Sequence, residues 1–372
     1  MDAGKTMRIA LLNQFLPPEQ PPTARLVGDL AEALRAAGHE VVCCGAAGRY
    51  GAARGWRRVL RDITAHLSIS WGVLCAGRLD WIVCLSDPTG LPLTARVLAT
   101  LKGARLAHWA MDVYPQIALA LGAVKDGLVV RLVAAGMRTG YRGCNLLVAL
   151  DADMAAEISR VADRQVAVLP PWPPEVVHSP QSAAAVTGGH GSLRWLYSGN
   201  LGRAHEFETL LQAQGLLEAR GLDWELHFQG GGPRRAEAEA LSGELGLQKV
   251  RWSGYVPEEA LLSSLLEADV LVATQRTATR GLLWPSKLAL MRHLGLPIVW
   301  VGPEQGAVAE WLREQTVPLL VIAPGQARVL ADWIAARPPR AAACAPEDIS
   351  EKVRTERLTG CIWWLEQLQN PA

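Results

Sequence analysis

Two stretches of this 372-residue chain pair a cation with a turn of small residues. The first, LRWLYSGNLGRAHEFETL from Leu193 to Leu210, runs from an apolar segment through Gly199, Asn200, Leu201 and Gly202 to Arg203 and an amphipathic helix. A strand emptying through such a turn into a helix presents free backbone N–H groups and the positive end of the helix dipole, which together favour an anion. The second, GLLWPSKLALMRHLGLPIV from Gly281 to Val299, carries Pro285 where a first helical residue is favoured, so Ser286 and Lys287 fall in the first turn. Arg grips phosphate oxygens through a planar fork, and Lys acts as a point charge. Arg203 and Lys287 together suit a diphosphate, and suit stabilising the charge that grows on it as a bond to it breaks. Alone, each is an ordinary solvated cation; two such turns in one half of the chain give the reading its weight.

A third candidate is Asp112, which follows the strand Ala104 to Trp109 at the carboxyl edge where open parallel sheets hold ligands. An Asp in that position can also be no more than the cap of the next helix. Other chemistries lack their patterns. The opening strand has no GxGxxG, GGGPRR has the wrong spacing for one, and GxxxxGK[ST] is absent, which argues against an oxidoreductase and a P-loop nucleotidase. GxSxG is missing, and the eight His include no HExxH, so neither a serine hydrolase nor a metal trio is indicated.

Composition narrows the class. A net charge of +1 and a pI near 7.7 speak against a nucleic-acid binder. Seven Cys, with Cys43 and Cys44 adjacent but no CxxC, read as reduced buried thiols of a cytoplasmic protein. No signal peptide is expected ahead of Met7, and no apolar run reaches the ~18 residues of a membrane span. Up to Arg164 the chain holds 19 Lys and Arg against 14 Asp and Glu. The basic segment Arg49 to Arg61, with Tyr50 and Trp56, can lie as a peripheral contact on the inner face of the membrane, or can be a solvated helix whose Trp joins the core.

The elements that must carry these residues alternate strand and helix throughout. The length favours two domains, since single cores rarely exceed ~250 to 300 residues. Met7 to Leu16, helix Ala24 to Ala37 capped by Thr23, and a strand after Gly38 open a doubly wound α/β sheet. Strands follow at Leu79 to Leu85, Ala104 to Trp109, Leu146 to Leu150 and Val166 to Leu169. Pro170 to Pro174 and the low-complexity run Gln181 to Ser192 read as a connection. The same rhythm then repeats from Leu193. The expected organisation is a first domain over 1–171, a linker over 172–192, a second domain over 193–346, and a C-terminal helix over 347–372 packing back toward the first domain. Two such sheets would turn their ligand edges toward a cleft.

In order along the chain, LNQFLPPEQPPTARLVGDLAEALRAAGHEV, WAMDVYPQIALALG, VLPPWPPE, YSGNLGRAHEFETLL, FQGGGP, WSGYVPEEAL, ADVLVA and WPSKLALMRHLGLPIV resemble the GT-B glycosyltransferases of family 4. The likeness is greatest to the bacterial surface-polysaccharide branch that includes N-acetylfucosamine and colanic-acid transferases. It implies two Rossmann-like domains, a nucleotide-sugar in the second, an acceptor in the first, retention of anomeric configuration, and no metal or other cofactor. Carried over by position, Gly199, Asn200, Gly202 and Arg203 would line the donor diphosphate, with Ser286 and Lys287 completing it. Gly230, Gly231, Tyr255 and Val256 would approach the base. Asp112 and the loop of Glu19, Gln20 and Thr23 would face the transferred sugar and acceptor.

The implied activity is a hexosyltransferase that moves a hexose or N-acetylhexosamine from a UDP-sugar to a polyprenyl-diphosphate-linked or saccharide acceptor, without nucleic-acid partners. The chain departs from the wider family in two places. Leu282 and Leu290 stand where many relatives have the acids of a Glu-x7-Glu motif, and Gln20, Pro21 and Pro22 replace a glycine-rich first loop. A non-catalytic GT-B partner subunit and a GT-B nucleotide-sugar 2-epimerase are therefore the rival readings.

Overall fold

The computed structural model describes residues 6–19, 22–46, 56–176, 193–336 and 344–370. It divides into two compact units, the first of Met1–Trp172, Gly281–Trp284 and Glu356–Ala372, the second of Pro173–Arg280 and Pro285–Thr355. Each is an α/β sheet in which all strands run parallel.

In the first unit the strands are β1 (Arg8–Leu12), β2 (Glu40–Cys44), β3 (Trp81–Cys84), β4 (Arg105–Trp109), β5 (Leu146–Ala149) and β6 (Ala167–Val168), in the order β2-β1-β3-β4-β5-β6. The helices between them are α1 (Pro22–Ala36), α2 (Trp56–Cys75), α3 (Leu91–Lys102), α4 (Gln116–Ala120), α5 (Leu128–Arg142) and α6 (Ala152–Ala162). Of the central strands, β3 is apolar along its whole length and β4 is buried from Leu106 to Trp109, because both faces are covered, as parallel sheets require. Helix α1 begins at Pro22, so Thr23 lies inside its first turn and is not its cap; its Oγ1 instead accepts from Asn13 Nδ2 at 3.3 Å.

The second unit holds β7 (Leu193–Ser198), β8 (Trp224–Gln229), β9 (Val250–Ser253), β10 (Val270–Thr274), β11 (Ile298–Val301) and β12 (Leu319–Ile322), in the order β12-β11-β10-β7-β8-β9. Its helices are α7 (Glu208–Ala219), α8 (Arg235–Glu244), α9 (Glu258–Leu266), α10 (Leu288–Met291), α11 (Ala307–Arg313) and α12 (Ala327–Ala335). The chain goes from β7 outward to β9 on one side, then returns to β10 on the other. Such a reversal opens a crevice at the carboxyl ends of β7 and β10, where doubly wound sheets hold ligands.

The last helix, α13 (Pro346–Gln369), contributes its residues from Glu356 onward to the first unit. Cys361, Trp364 and Leu368 recur at helical spacing and are buried, whereas Ile362 is 52% exposed. Trp172, expected in the linker, is instead a core residue of the first unit. Its ring lies 5.1 Å from that of Trp109, Trp109 lies 5.3 Å from Trp364, and Trp172 Nε1 donates to Asp29 Oδ2 at 2.8 Å. A large aromatic with a paired N–H is worth more buried than its proline-dense setting suggests. The segment Gly281–Trp284 also belongs to the first unit, held by Val113 N donating to Leu282 O at 2.9 Å and by a bridge between Asp112 and Leu283.

Candidate functional site

The glycine turns lie at the crevice of the second unit. Ser198 is in register with Gln229, so the turn after β7 and the turn after β8 leave the sheet side by side. Gly199 N donates to Gln229 O at 2.8 Å and Leu201 N to Gly231 O at 2.7 Å. The approach is closer than any side chain allows: a Cβ on Gly230, at φ +133°, would meet Gly199 O at 2.2 Å, and one on Gly232 would meet Leu201 O at 2.5 Å. Glycine is thus required here by both conformation and space. With those bonds made, the N–H groups of Gly202 and Arg203 reach no acceptor among the described residues.

Lys287 enters the same place. Its Nζ sits 3.3 Å from the centroid of the Tyr197 ring, and a Cβ on Gly199 would be 3.4 Å from Lys287 Nζ. The residue as a whole is partly exposed, but Nζ is buried and has no hydrogen-bond partner, so the exposure belongs to the rest of the residue. Burial holds the ammonium well below the usual lysine value. The Tyr197 hydroxyl donates to Asn200 O at 3.0 Å, which fixes the ring as a platform. The buried Lys287 ammonium without an acceptor is a standing cost, and an anion that also accepts from the turn N–H groups removes it.

The helix starts behave differently from the expectation. Helix α7 begins at Glu208, five residues after Arg203, and its first turn is already occupied: Glu206 Oε1 accepts from Thr209 N at 2.6 Å and from Thr209 Oγ1 at 2.8 Å. The carboxylate of Glu206 takes the place that an incoming anion would use, so the dipole of α7 is spent within the chain. The expected helix from Pro285 is only the single turn α10, and Lys287 stands before it. The anion-favouring groups are therefore the ammonium and the turn N–H groups, and no helix terminus is among them.

Between the two lies His205. Its Nδ1 donates to Thr274 O at 2.9 Å, and Glu206 N donates to Thr274 Oγ1 at 3.1 Å, which ties the turn across the β7/β10 crevice. Burial, and then the neighbouring Lys287 charge, lower His205 to about 3, so at neutral pH the ring is neutral with Nε2 as a bare acceptor. Tyr197, His205 and Thr274 were not singled out from sequence; the position of Tyr197 beside the end of β7 was the available signal. Arg235 was also missed. Its Nη1 donates at 2.7 Å to both Gly230 O and Ser253 O and so holds the second glycine turn.

Of the other residues of this half, Asn200 and Tyr255 join the cluster through Tyr255 Oη and Asn200 Oδ1 at 3.4 Å, and the Tyr255 ring would lie 3.0 Å from a Cβ on Gly231. Tyr255 is 67% exposed. Val256 follows it, half-buried, and Ser286 precedes Lys287 and is exposed. Arg203, on the same turn, is exposed and its side chain pairs with nothing among the described residues, Lys287 included. Leu282 and Leu290, at the acid positions of many relatives, are both buried leucines.

Asp112 belongs to the first unit. It does not cap a helix, because α4 starts beyond Pro115. The Ser86 hydroxyl accepts from Met111 N at 2.8 Å and from Asp112 N at 3.2 Å, which fixes the backbone at the end of β4. Burial, with the neighbouring Asp87 carboxylate, raises Asp112 to about 7. Glu19 is half-buried, its N donating to Leu16 O at 3.0 Å. Gln20 lies outside the described residues, as do Arg49 to Gly55 of the basic segment; Trp56 begins α2. Among the described residues no group of three or more His, Cys, Asp or Glu could hold a metal ion.

Comparison with known proteins bears on the family of the second unit and on the fold. Residues 192–336 match the family model described as Glycosyl transferases group 1. WcaI of Escherichia coli (strain K12), which carries the provisional name of a colanic acid biosynthesis glycosyl transferase, is 26% identical over 212 residues. That match covers 54% of this chain and 52% of WcaI, so the chain spans about half the length of the curated relative it matches. Among solved structures, sucrose-phosphate synthase from Thermosynechococcus elongatus superposes with a TM-score of 0.70 at 16% identity, covering 97% of this chain and 98% of that one. Anabaena HepE, solved in complex with UDP, gives 0.64 at 13% identity over 97% and 99%. At these identities the likeness is one of fold, and that fold is GT-B.

Proposed function

We propose that this chain, which has the GT-B fold and carries a group 1 glycosyl transferase domain over residues 192–336, is a glycosyltransferase of surface-polysaccharide synthesis using a nucleotide-sugar donor. The observation that carries the reading is the buried ammonium of Lys287, without a hydrogen-bond partner, beside turn N–H groups that also lack acceptors. The buried ammonium gains an acceptor, and the turn N–H groups a common partner, when an anion of several oxygens binds. A leaving nucleoside diphosphate provides one, and the charge it gains as the glycosidic bond breaks is what Lys287 and Arg203 would stabilise.

UDP is the proposed nucleotide; HepE, which shares the fold, was solved with UDP and with UDP-glucose. The transferred unit is proposed to be a hexose or N-acetylhexosamine, with retention of configuration and without a metal. The acceptor is proposed to be a polyprenyl-diphosphate-linked saccharide, which sets the enzyme at the inner face of the membrane, and Asp112 is the acceptor-side candidate on the first unit. No helix of the described residues is long and apolar enough to cross a membrane. The buried Leu282 and Leu290 favour one rival, a partner subunit that keeps the fold without turnover.

Isothermal titration with UDP tests the donor reading. Saturable binding that Lys287→Met weakens roughly 30-fold is expected, and no heat at millimolar UDP overturns it. Release of UDP from a nucleotide-sugar in the presence of a membrane-lipid extract then separates the enzyme from the inactive subunit.

A further inference from the structure

The first unit exposes more apolar surface on one helix layer than a water-facing layer needs. In α2, Ala65, Ile69 and Val73 are buried at four-residue steps, as a helix on a sheet requires. A second apolar stripe, Leu60, Ile63, Leu67, Trp71 and Leu74, recurs at three- and four-residue steps on the opposite side. It is exposed throughout, Trp71 to 71%. Helix α3 repeats the pattern with Leu93, Val97 and Leu101, and α5 with Leu128, Val129 and Leu132, Leu128 being 75% exposed.

The three helices form one continuous layer. Lys102 Nζ at the end of α3 donates to Leu74 O and Gly77 O at the end of α2, at 2.8 and 2.9 Å. Thr94 of α3 meets His66 of α2 at 2.9 Å. On the other side, a Cβ on Gly140 of α5 would lie 2.7 Å from the backbone of Pro92, so α5 packs directly on α3. The exposed stripes are therefore neighbours, and contiguous apolar surface of this extent marks an interaction site.

Charge identifies the partner. On this layer the exposed basic residues are Arg57 of α2 and Arg131, Arg138 and Arg142 of α5, with Arg96 and Lys102 of α3 half-buried between them; the acids are Asp62, beside Arg61, and Asp126, which pairs with Arg131 at 3.1 Å, so the layer is net positive. We propose that the outer face of α2, α3 and α5 docks on an anionic phospholipid bilayer, its leucines and Trp71 entering the interface and its arginines meeting the headgroups. A second copy of the same face is the poorer occupant, because a two-fold contact would set two net positive surfaces against each other. A nucleic acid offers the charge but nothing for the apolar stripes. The proposal deepens the peripheral location given above and rests on that reading in expecting a lipid-borne acceptor.

Co-sedimentation of the whole chain with vesicles tests it, using phosphatidylcholine alone and phosphatidylcholine with roughly one third phosphatidylglycerol. The protein is expected to sediment with the mixed vesicles and not with the neutral ones, and to be released by high salt. The double variants Leu67→Glu with Trp71→Glu, and Arg57→Glu with Arg138→Glu, are expected to lower the bound fraction about tenfold or more while UDP binding is unchanged. Failure of the wild-type protein to sediment with mixed vesicles overturns the proposal. So does equal sedimentation with both kinds, or a solution dimer that Trp71→Glu dissociates. UDP titration of the same samples keeps the two readings apart: vesicle binding without UDP binding overturns the donor assignment and leaves the docking face standing.

Discussion

Replacing Lys287 by Met should raise the stability of the ligand-free protein while weakening its affinity for UDP. Nζ is buried and donates to nothing among the described residues, and it lies 3.3 Å from the centroid of the Tyr197 ring. Leaving a charged donor buried and unsatisfied costs about 3 kcal/mol or more, and a desolvated cation–π contact returns about 2 kcal/mol. The net is a cost of about 1 kcal/mol or more, which Met relieves while keeping an unbranched chain and a sulfur against the ring. For a unit of this size the melting temperature of Lys287→Met should rise by about 2 to 4 °C.

The pH dependence has a fixed sign. Because the folded value is depressed, the unfolded chain holds the proton more tightly between that value and the ordinary lysine value near about 10.4. Wild-type stability therefore rises with pH through that window, and the advantage of the Met variant is largest below it and closes toward its upper end. Binding moves the other way. Loss of the charge-assisted contact should weaken UDP by about 2 kcal/mol, or roughly 30-fold. Calorimetric melting and UDP titration of both proteins at neutral and alkaline pH read the two effects separately. A variant that melts lower than wild type at neutral pH and binds UDP within threefold would refute the reasoning.

Three further outcomes follow from single contacts. Gly230→Ala forces a Cβ onto Gly199 O at 2.2 Å and should cost about 2 kcal/mol or more by urea denaturation, with loss of UDP binding; Gly243→Ala, on a helix with nothing within 4 Å, should instead gain about 0.5 to 1 kcal/mol. Asp112, raised to about 7, contributes stability that is present below the ordinary carboxylate value and is lost as pH rises through about 7. Asp112→Asn should thus be the more stable form at alkaline pH, by about 2 kcal/mol once its partial exposure is allowed for, and equal melting at pH 8 would count against the burial argument. Arg203→Ala should leave the melting temperature unchanged, since the side chain is exposed, yet weaken UDP in a manner that fades with salt; an unaltered salt dependence would remove Arg203 from the site.

Much of this was legible in the residues. The strands were readable to within a few positions because each is an apolar run bounded by glycine, proline or polar residues, as at Trp224–Gln229 before Gly230. The glycines at 199, 230 and 231 and the cation at 287 were visible as types at turns. The helix starts were not: Glu206 could not be recognised as the group that fills the first turn of α7, because its reach to Thr209 is a side-chain rotamer and not a pattern.

The sequence by itself determined that the chain is α/β, that it repeats a strand–helix rhythm twice, and which turns are glycine-rich, since these depend on local period and composition. The tertiary structure decided the rest. Strand order set the reversal between β7 and β10, which gathers Tyr197, His205 and Thr274 from distant positions into one crevice. Backbone-on-backbone contact between the two glycine turns used up some of their N–H groups and left those of Gly202 and Arg203 unmatched. Burial turned Lys287 from a surface cation into an ammonium without an acceptor, and Trp172 from a linker residue into core. Burial and strand order are non-local quantities, fixed by which surfaces exclude water together, so no window of sequence contains them.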